Sequence, residues 1–239
     1  MKTIGLIGGM SWESSALYYQ LINQKIKSLL GGHHSAKCIL YSLDFSVIAH
    51  LQHQGEWNQL SDILIEAAVN LENAGADFIA LCTNTMHKLA PDIQSNISVP
   101  FFHISTATAK VLVDNHINTA ALLGTKFTME QNFLKDELEK ESLATIIIPD
   151  ENQRNDIHRI IYDELVKGEI RNESRLRYIE IMDQLIESGA QGIILGCTEI
   201  GMLVKSTDVP YTIFDTTTIH AEACALMALE NETLDWLNK

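Results

Sequence analysis

The sequence predicts an α/β protein of two similar lobes, each built around a parallel sheet of roughly four strands. An internal repeat carries most of that expectation. Gly75-Ala76-Asp77-Phe78-Ile79-Ala80-Leu81-Cys82-Thr83-Asn84-Thr85-Met86-His87 is answered 114 residues later by Gly189-Ala190-Gln191-Gly192-Ile193-Ile194-Leu195-Gly196-Cys197-Thr198-Glu199-Ile200-Gly201. In both, a glycine of the kind that closes a helix precedes a short apolar run suited to a strand buried on both faces, and small polar side chains follow. A second echo sets Val99-Pro100-Phe101-Phe102-His103-Ile104-Ser105-Thr106 against Val209-Pro210-Tyr211-Thr212-Ile213-Phe214-Asp215-Thr216, 110 residues on. Gly8-Gly9 and Gly124-Thr125 stand at matching strand ends, 116 residues apart from Gly8 to Gly124. Lobes of residues 1–115 and 116–239 follow, with the C-terminal helix of the first lobe a candidate to cross over.

Taken in order, residues 3–8 read as a first buried strand, and a helix runs from about Trp12 to Leu30, closed by Gly31-Gly32. The glycines at 5, 8 and 9, in that strand and in the turn after it, make neither a dinucleotide fingerprint nor a P-loop; the turn suits a backbone wall of a small-molecule pocket. Lys37 to Leu43 reads as strand two. Asp44-Phe45 then opens an expected loop through His50, Gln52 and His53 to Gly55. The two histidines lack a nearby third ligand, so no metal is expected; Gln52 is the better candidate to reach a pocket. Leu60, Ile63, Leu64, Ala67, Ala68 and Leu71 fall at helical spacing up to Gly75. Strand three delivers the first polar motif, Pro91 ends the short segment after it, and Val99 to Ile104 forms strand four. Thr119 to Leu123 opens the second cycle, followed by a helix from Met129 to Lys140, a strand from Thr145 to Ile148, helices near Asn155 to Val166 and Ser174 to Ser188, and the second motif.

Composition limits the function. At 46% hydrophobic and 20% charged residues the chain has ample core material. A net charge of −14 speaks against binding a phosphate backbone. Thr3 to Gly9 is too short and glycine-broken for a signal-peptide core or a membrane span. The four cysteines form neither a disulfide framework nor a CxxC pair, so a reduced, cytoplasmic protein is expected.

In open α/β sheets ligands bind beyond strand carboxyl ends, where both polar motifs fall. A pseudo-twofold relation of the lobes would face these ends across one cleft, with Thr83 on one side of a ligand and Cys197 on the other. That suits inversion of a carbon centre by an acid and a base on opposite faces. A cysteine acts as base only as thiolate, so its ordinary pKa of about 8.5 has to be managed by neighbours, among them N–H groups of the helix after Cys197. Plainer roles exist for each residue. Free cysteines are often small buried hydrophobes, strand alternation aims Cys82 away from the side Thr83 faces, and Thr83 can cap a helix.

Leu195-Gly196-Cys197-Thr198-Glu199-Ile200-Gly201 resembles the second cysteine motif of the aspartate/glutamate racemase superfamily, and Cys82-Thr83-Asn84-Thr85-Met86-His87 resembles its first. The resemblance extends over nearly the whole chain, including Ile4 to Ser14 and Phe214-Asp215-Thr216, and is greatest to the aspartate racemase branch. It implies a cofactor-independent, PLP-free isomerase acting on a small-molecule amino acid, aspartate or glutamate in the first place, through two opposed proton-transfer groups. It also implies a homodimer. Cys197 takes the second catalytic position and would be the base towards the L-substrate. The first motif departs from the pattern: an extra threonine stands between Cys82 and Asn84, and anchoring on Asn84-Thr85 puts Thr83 in the catalytic place. A hydroxyl is a far weaker acid than a thiol, so a bias towards L-to-D turnover is expected, unless Cys82 swings in. The resemblance adds Met10, Gln52, Asn84, Thr85, Thr198 and Glu199 as substrate contacts, Glu199 for the ammonium group, and leaves the cation for a side-chain carboxylate open among Lys88, Lys126, Arg154 and Arg159. A broad-specificity racemase, a cysteine-dependent decarboxylase and a catalytically silent amino-acid-binding protein are the rival readings.

Overall fold

The apolar runs marked as strands all pair in parallel, and the two cycles of the sequence become two sheets of identical strand order. The computed structural model describes residues 1–230; residues 231–239, which the expected second lobe included, lie outside the described residues. In chain order the first sheet and its helices are β1 (Ile4–Gly8), α1 (Trp12–Leu30), β2 (Cys38–Ser42), α2 (Phe45–Gln54), α3 (Trp57–Asn73), β3 (Phe78–Leu81), α4 (Ala90–Ser95) and β4 (Phe101–Phe102). The sheet order is β2-β1-β3-β4. The second cycle is α5 (Ile104–Asp114), β5 (Thr119–Gly124), α6 (Lys126–Glu130), α7 (Asn132–Ser142), β6 (Thr145–Ile147), α8 (Glu151–Asp163), α9 (Asn172–Glu187), β7 (Gly192–Gly196), α10 (Ile200–Leu203) and β8 (Thr212–Asp215), in the order β6-β5-β7-β8. The described chain closes with α11 (Thr216–Leu229).

The repeat is physical as well as textual. After α3, the Gly75 N–H donates to the Glu72 carbonyl and Ala76 N–H to Leu71; after α9, Gly189 donates to Ile186 and Ala190 to Leu185. These are two copies of one helix-ending pair of bonds, which needs a left-handed residue at the glycine, and Gly75 and Gly189 have φ of 94° and 104°. Each turn then feeds a central strand whose residues are all buried.

The chain folds into two units that are interleaved in sequence and do not follow a single cut after residue 115. Among the described residues, one comprises Met1–Cys82, Leu89–His103 and residues 220–230; the other comprises Thr83–Lys88 and Ile104–Ile219. Apolar packing accounts for the exchange. Ile104, Ala109 and Leu112 of α5 share a core with Ala120, Leu122, Leu134 and Leu138. Ala221, Cys224, Ala225 and Ala228 of α11 share one with Ile4, Leu6, Tyr18 and Phe78.

Local departures from the sequence expectation have identifiable causes. The stretch expected as a loop through His50 and His53 is α2: Asp44 Oδ1 accepts from Ser46 N–H as the N-cap, Gly55 closes the helix at φ 74°, and Ile48, Leu51 and Gln52 face inward. Pro91 starts a helix instead of ending a segment, sitting in the first turn of α4, where its missing N–H costs nothing. Strand four is only Phe101–Phe102, because Ile104 already begins α5. The helix expected from Met129 to Lys140 is broken at Gln131, whose extended φ and ψ of −94° and 147° separate α6 from α7.

Candidate active site

The second unit gathers most of the expected site at the carboxyl ends of its strands. Cys197 follows directly on β7 and keeps part of its surface open, while Thr198 and Glu199 behind it are buried. The thiol donates to Glu199 Oε2 at 3.0 Å. Burial, the neighbouring Glu199 charge and that hydrogen bond hold the Cys197 thiol well above its ordinary pKa; the N–H groups of Glu199 and Ile200 pull it down and lose. The expected help from the following helix is therefore present but outweighed. On balance these influences favour the thiol form, which donates to Glu199.

Thr83, part-exposed, and Asn84 and Thr85, both buried, belong to the same unit. Asn84 Nδ2 donates to Thr216 Oγ1 at 3.0 Å, and Thr216 donates to the Leu195 carbonyl at 2.7 Å. Leu195 lies on β7 two residues before Cys197, so this relay ties the first motif to the strand that carries the second. Thr85 Oγ1 lies 3.3 Å from Thr125 Oγ1 and 3.4 Å from Thr128 Oγ1. His87 fixes the turn from the other side: its Nδ1 lies 2.7 Å from the Thr83 carbonyl and its Nε2 accepts from Ile104 N–H at 3.2 Å. One neutral tautomer satisfies both, with the proton on Nδ1. Thr217 donates to Thr198 at 3.3 Å.

Three expected residues belong to the first unit. Met10 is buried in the turn between β1 and α1, and Gln52 is buried on α2. Cys82 is fully buried in the apolar cluster of Ile4, Leu6, Phe78 and Cys224. Burial foremost, then the neighbouring Cys224 and Cys38, pushes its thiol well above the ordinary range.

Sequence reasoning missed Thr125, Thr128, Thr217 and Tyr162, and gave Thr216 no role of its own. The threonines share one signal, hydroxyls just past a strand end. Tyr162 carried none: it reaches the site only through tertiary packing. Burial, then the nearby Cys197 and Glu199, pushes its phenol up to about 12. Among the described residues no helix is long and apolar enough to cross a membrane.

Residues 7–224 match the family model described as Asp/Glu/Hydantoin racemase. The crystal structure of a candidate Asp/Glu racemase from Yersinia pestis is 48% identical, covers 96% of this chain and 100% of its own, and superposes with a TM-score of 0.91. PH1733, an aspartate racemase homologue from Pyrococcus horikoshii OT3, is 33% identical over 96% of this chain and 100% of its own, with a TM-score of 0.81. The broad specificity amino-acid racemase RacX of Bacillus subtilis strain 168 is 23% identical, over 92% of this chain and 95% of its own.

Proposed function

Since the chain belongs to the Asp/Glu/hydantoin racemase family and is an amino-acid racemase, we propose that it inverts the α-carbon of aspartate or glutamate without a cofactor, with Cys197 and Thr83 as the opposed proton-transfer residues. The observation that carries this reading is the pairing of the Cys197 thiol with Glu199 at the carboxyl end of β7, in the unit that also holds Thr83. In the L-to-D direction the Cys197 thiolate takes the α-proton, and Thr83, or a water it holds, returns one to the other face. Solvent then restores both groups. The Glu199 charge opposes thiolate formation in the free protein; a substrate ammonium group arriving at Glu199 offsets that charge, so binding and activation of the base are coupled. Backbone N–H groups and the hydroxyls of Thr85 and Thr198 are suited to hold the α-carboxylate as charge develops beside it.

Thr83 is favoured over Cys82 because Cys82 is wholly enclosed in apolar side chains. A hydroxyl on one side and a thiol on the other predicts faster initial L-to-D than D-to-L turnover at saturating substrate, while kcat/KM stays equal in the two directions because the enantiomers are equally stable. An NMR time course of L-aspartate and L-glutamate in D2O, followed by chiral analysis, tests the reading. Deuterated D-enantiomer is expected with the native chain and none with Cys197→Ala. Full turnover in that variant rejects the mechanism, and release of carbon dioxide in place of the D-enantiomer points to a decarboxylase.

A further inference from the structure

An acidic substrate needs a positive group, because a second carboxylate near Glu199 is repelled unless a local charge receives it. With a net charge of −14 the chain as a whole offers no attractive field, so an individual cation has to provide it. Of the four cations considered from sequence, Arg154 donates to Glu130 at 2.8 Å and to the Pro149 carbonyl at 2.7 Å, and Arg159 lies 3.5 Å from Glu164. Both already face a carboxylate. Lys88 is part-buried and already has an interaction partner within the protein.

Lys126 differs. It is half-buried, yet its ammonium has no ion pair or hydrogen bond to another described residue. Its backbone is fixed on both sides. Thr125, immediately before it, lies 3.3 Å from Thr85 of the first motif. The Lys126 N–H donates to His158 Nδ1 at 3.2 Å, and the His158 ring lies 4.7 Å from the ring of Tyr162. Tyr162 in turn packs against the same apolar cluster as Cys197. Lys126 therefore departs from a backbone held beside the first motif and against His158, and its flexible four-carbon stem can carry the charge inward.

We infer that Lys126 is the specificity-determining cation of this site, receiving the side-chain carboxylate of a dicarboxylic amino acid whose α-carbon lies at Cys197. This rests on the racemase reading above. The test compares kcat/KM for α-proton exchange in D2O with L-glutamate and L-glutamine, in the native chain and in Lys126→Ala, Lys126→Arg and Lys88→Ala. The native chain is expected to favour glutamate. Lys126→Ala lowers the glutamate-to-glutamine ratio about tenfold or more, mainly through KM, since a charge-assisted contact is lost; Lys126→Arg restores most of it. An unchanged ratio in Lys126→Ala, an equal loss with both substrates, or the fall appearing in Lys88→Ala in its place overturns the inference. Thermal stabilisation of Cys197→Ala by the same two ligands separates this from failure of the racemase reading. Glutamate-selective stabilisation that vanishes on adding Lys126→Ala supports the assignment even without turnover, and equal stabilisation by both ligands rejects it.

Discussion

Cys197 is governed by a contest among its immediate neighbours. Two N–H groups favour the thiolate, while burial and Glu199 favour the thiol and prevail. The sign of the resulting pH dependence follows: with the pKa raised, the thiolate fraction is small at neutral pH and grows as pH rises. Glu199→Gln keeps an acceptor but removes the charge, so the thiolate forms at lower pH. The midpoint of Cys197 alkylation by iodoacetamide, followed by peptide mapping, is expected to fall by about one pH unit or more; an unmoved midpoint refutes the electrostatic role of Glu199. Thr83 and Cys82 separate in the same way. Thr83→Ala is expected to slow L-to-D exchange about a hundredfold, within the range for a positioned proton donor. Cys82→Ala acts on stability, at a cost of order 1 kcal/mol for a small buried side chain. Equal losses of exchange in the two variants would instead put Cys82 in the site.

Among the elements, the turn from β1 into α1 is tightly constrained. Gly9 has φ of 84°, its N–H donates to Ser15 Oγ at 2.7 Å, and a Cβ there would run into the backbone of Leu43. Gly9→Ala is therefore expected to destabilise the chain by about 1–3 kcal/mol in urea unfolding, and a loss below about 0.5 kcal/mol would show that the turn yields. The Gly8-Gly9 pair was legible as a special turn because glycine is the residue that tolerates such a backbone. Helix α2 was also legible in principle. Asp44, Gly55 and the spacing of Ile48, Leu51 and Gln52 spell out cap, stop and buried face, but the histidines and glutamines between them give the segment the look of a loop.

Over the whole molecule, the decisive feature is the exchange of helices between the two units. From His220 onward, α11 supplies the first unit with Ala221, Cys224, Ala225 and Ala228. His220 anchors it. The ring is fully buried, with Nδ1 2.9 Å from Tyr18 Oη and Nε2 3.0 Å from the Phe102 carbonyl. Burial foremost brings its pKa down to about 3, so it stays neutral across the physiological range. Ala225→Asp puts a carboxylate among Ile4, Leu6 and Phe78, and is expected to cost several kcal/mol of stability, as an unpaired buried charge does. Chemical unfolding checks this; a loss below about 1 kcal/mol would mean that α11 is not integral to that core.

By itself the sequence determined the α/β class, the twofold repeat, the strands and the two polar motifs, because each depends on local patterning: apolar runs of strand length, glycines at helix ends and small polar residues past the last buried position. Only the tertiary structure decided which helix joins which core, since each choice is made by residues far apart in sequence, Ile104 and Leu112 with Leu134 and Leu138, and Ala221 and Ala225 with Ile4 and Phe78. It also decided that Cys82 is enclosed, that Asn84 is tied to Leu195 through Thr216, and that the Cys197 thiol meets the Glu199 side chain. Each of those depends on residues far apart in sequence or on the balance of burial and charge at one place, and no local pattern records either.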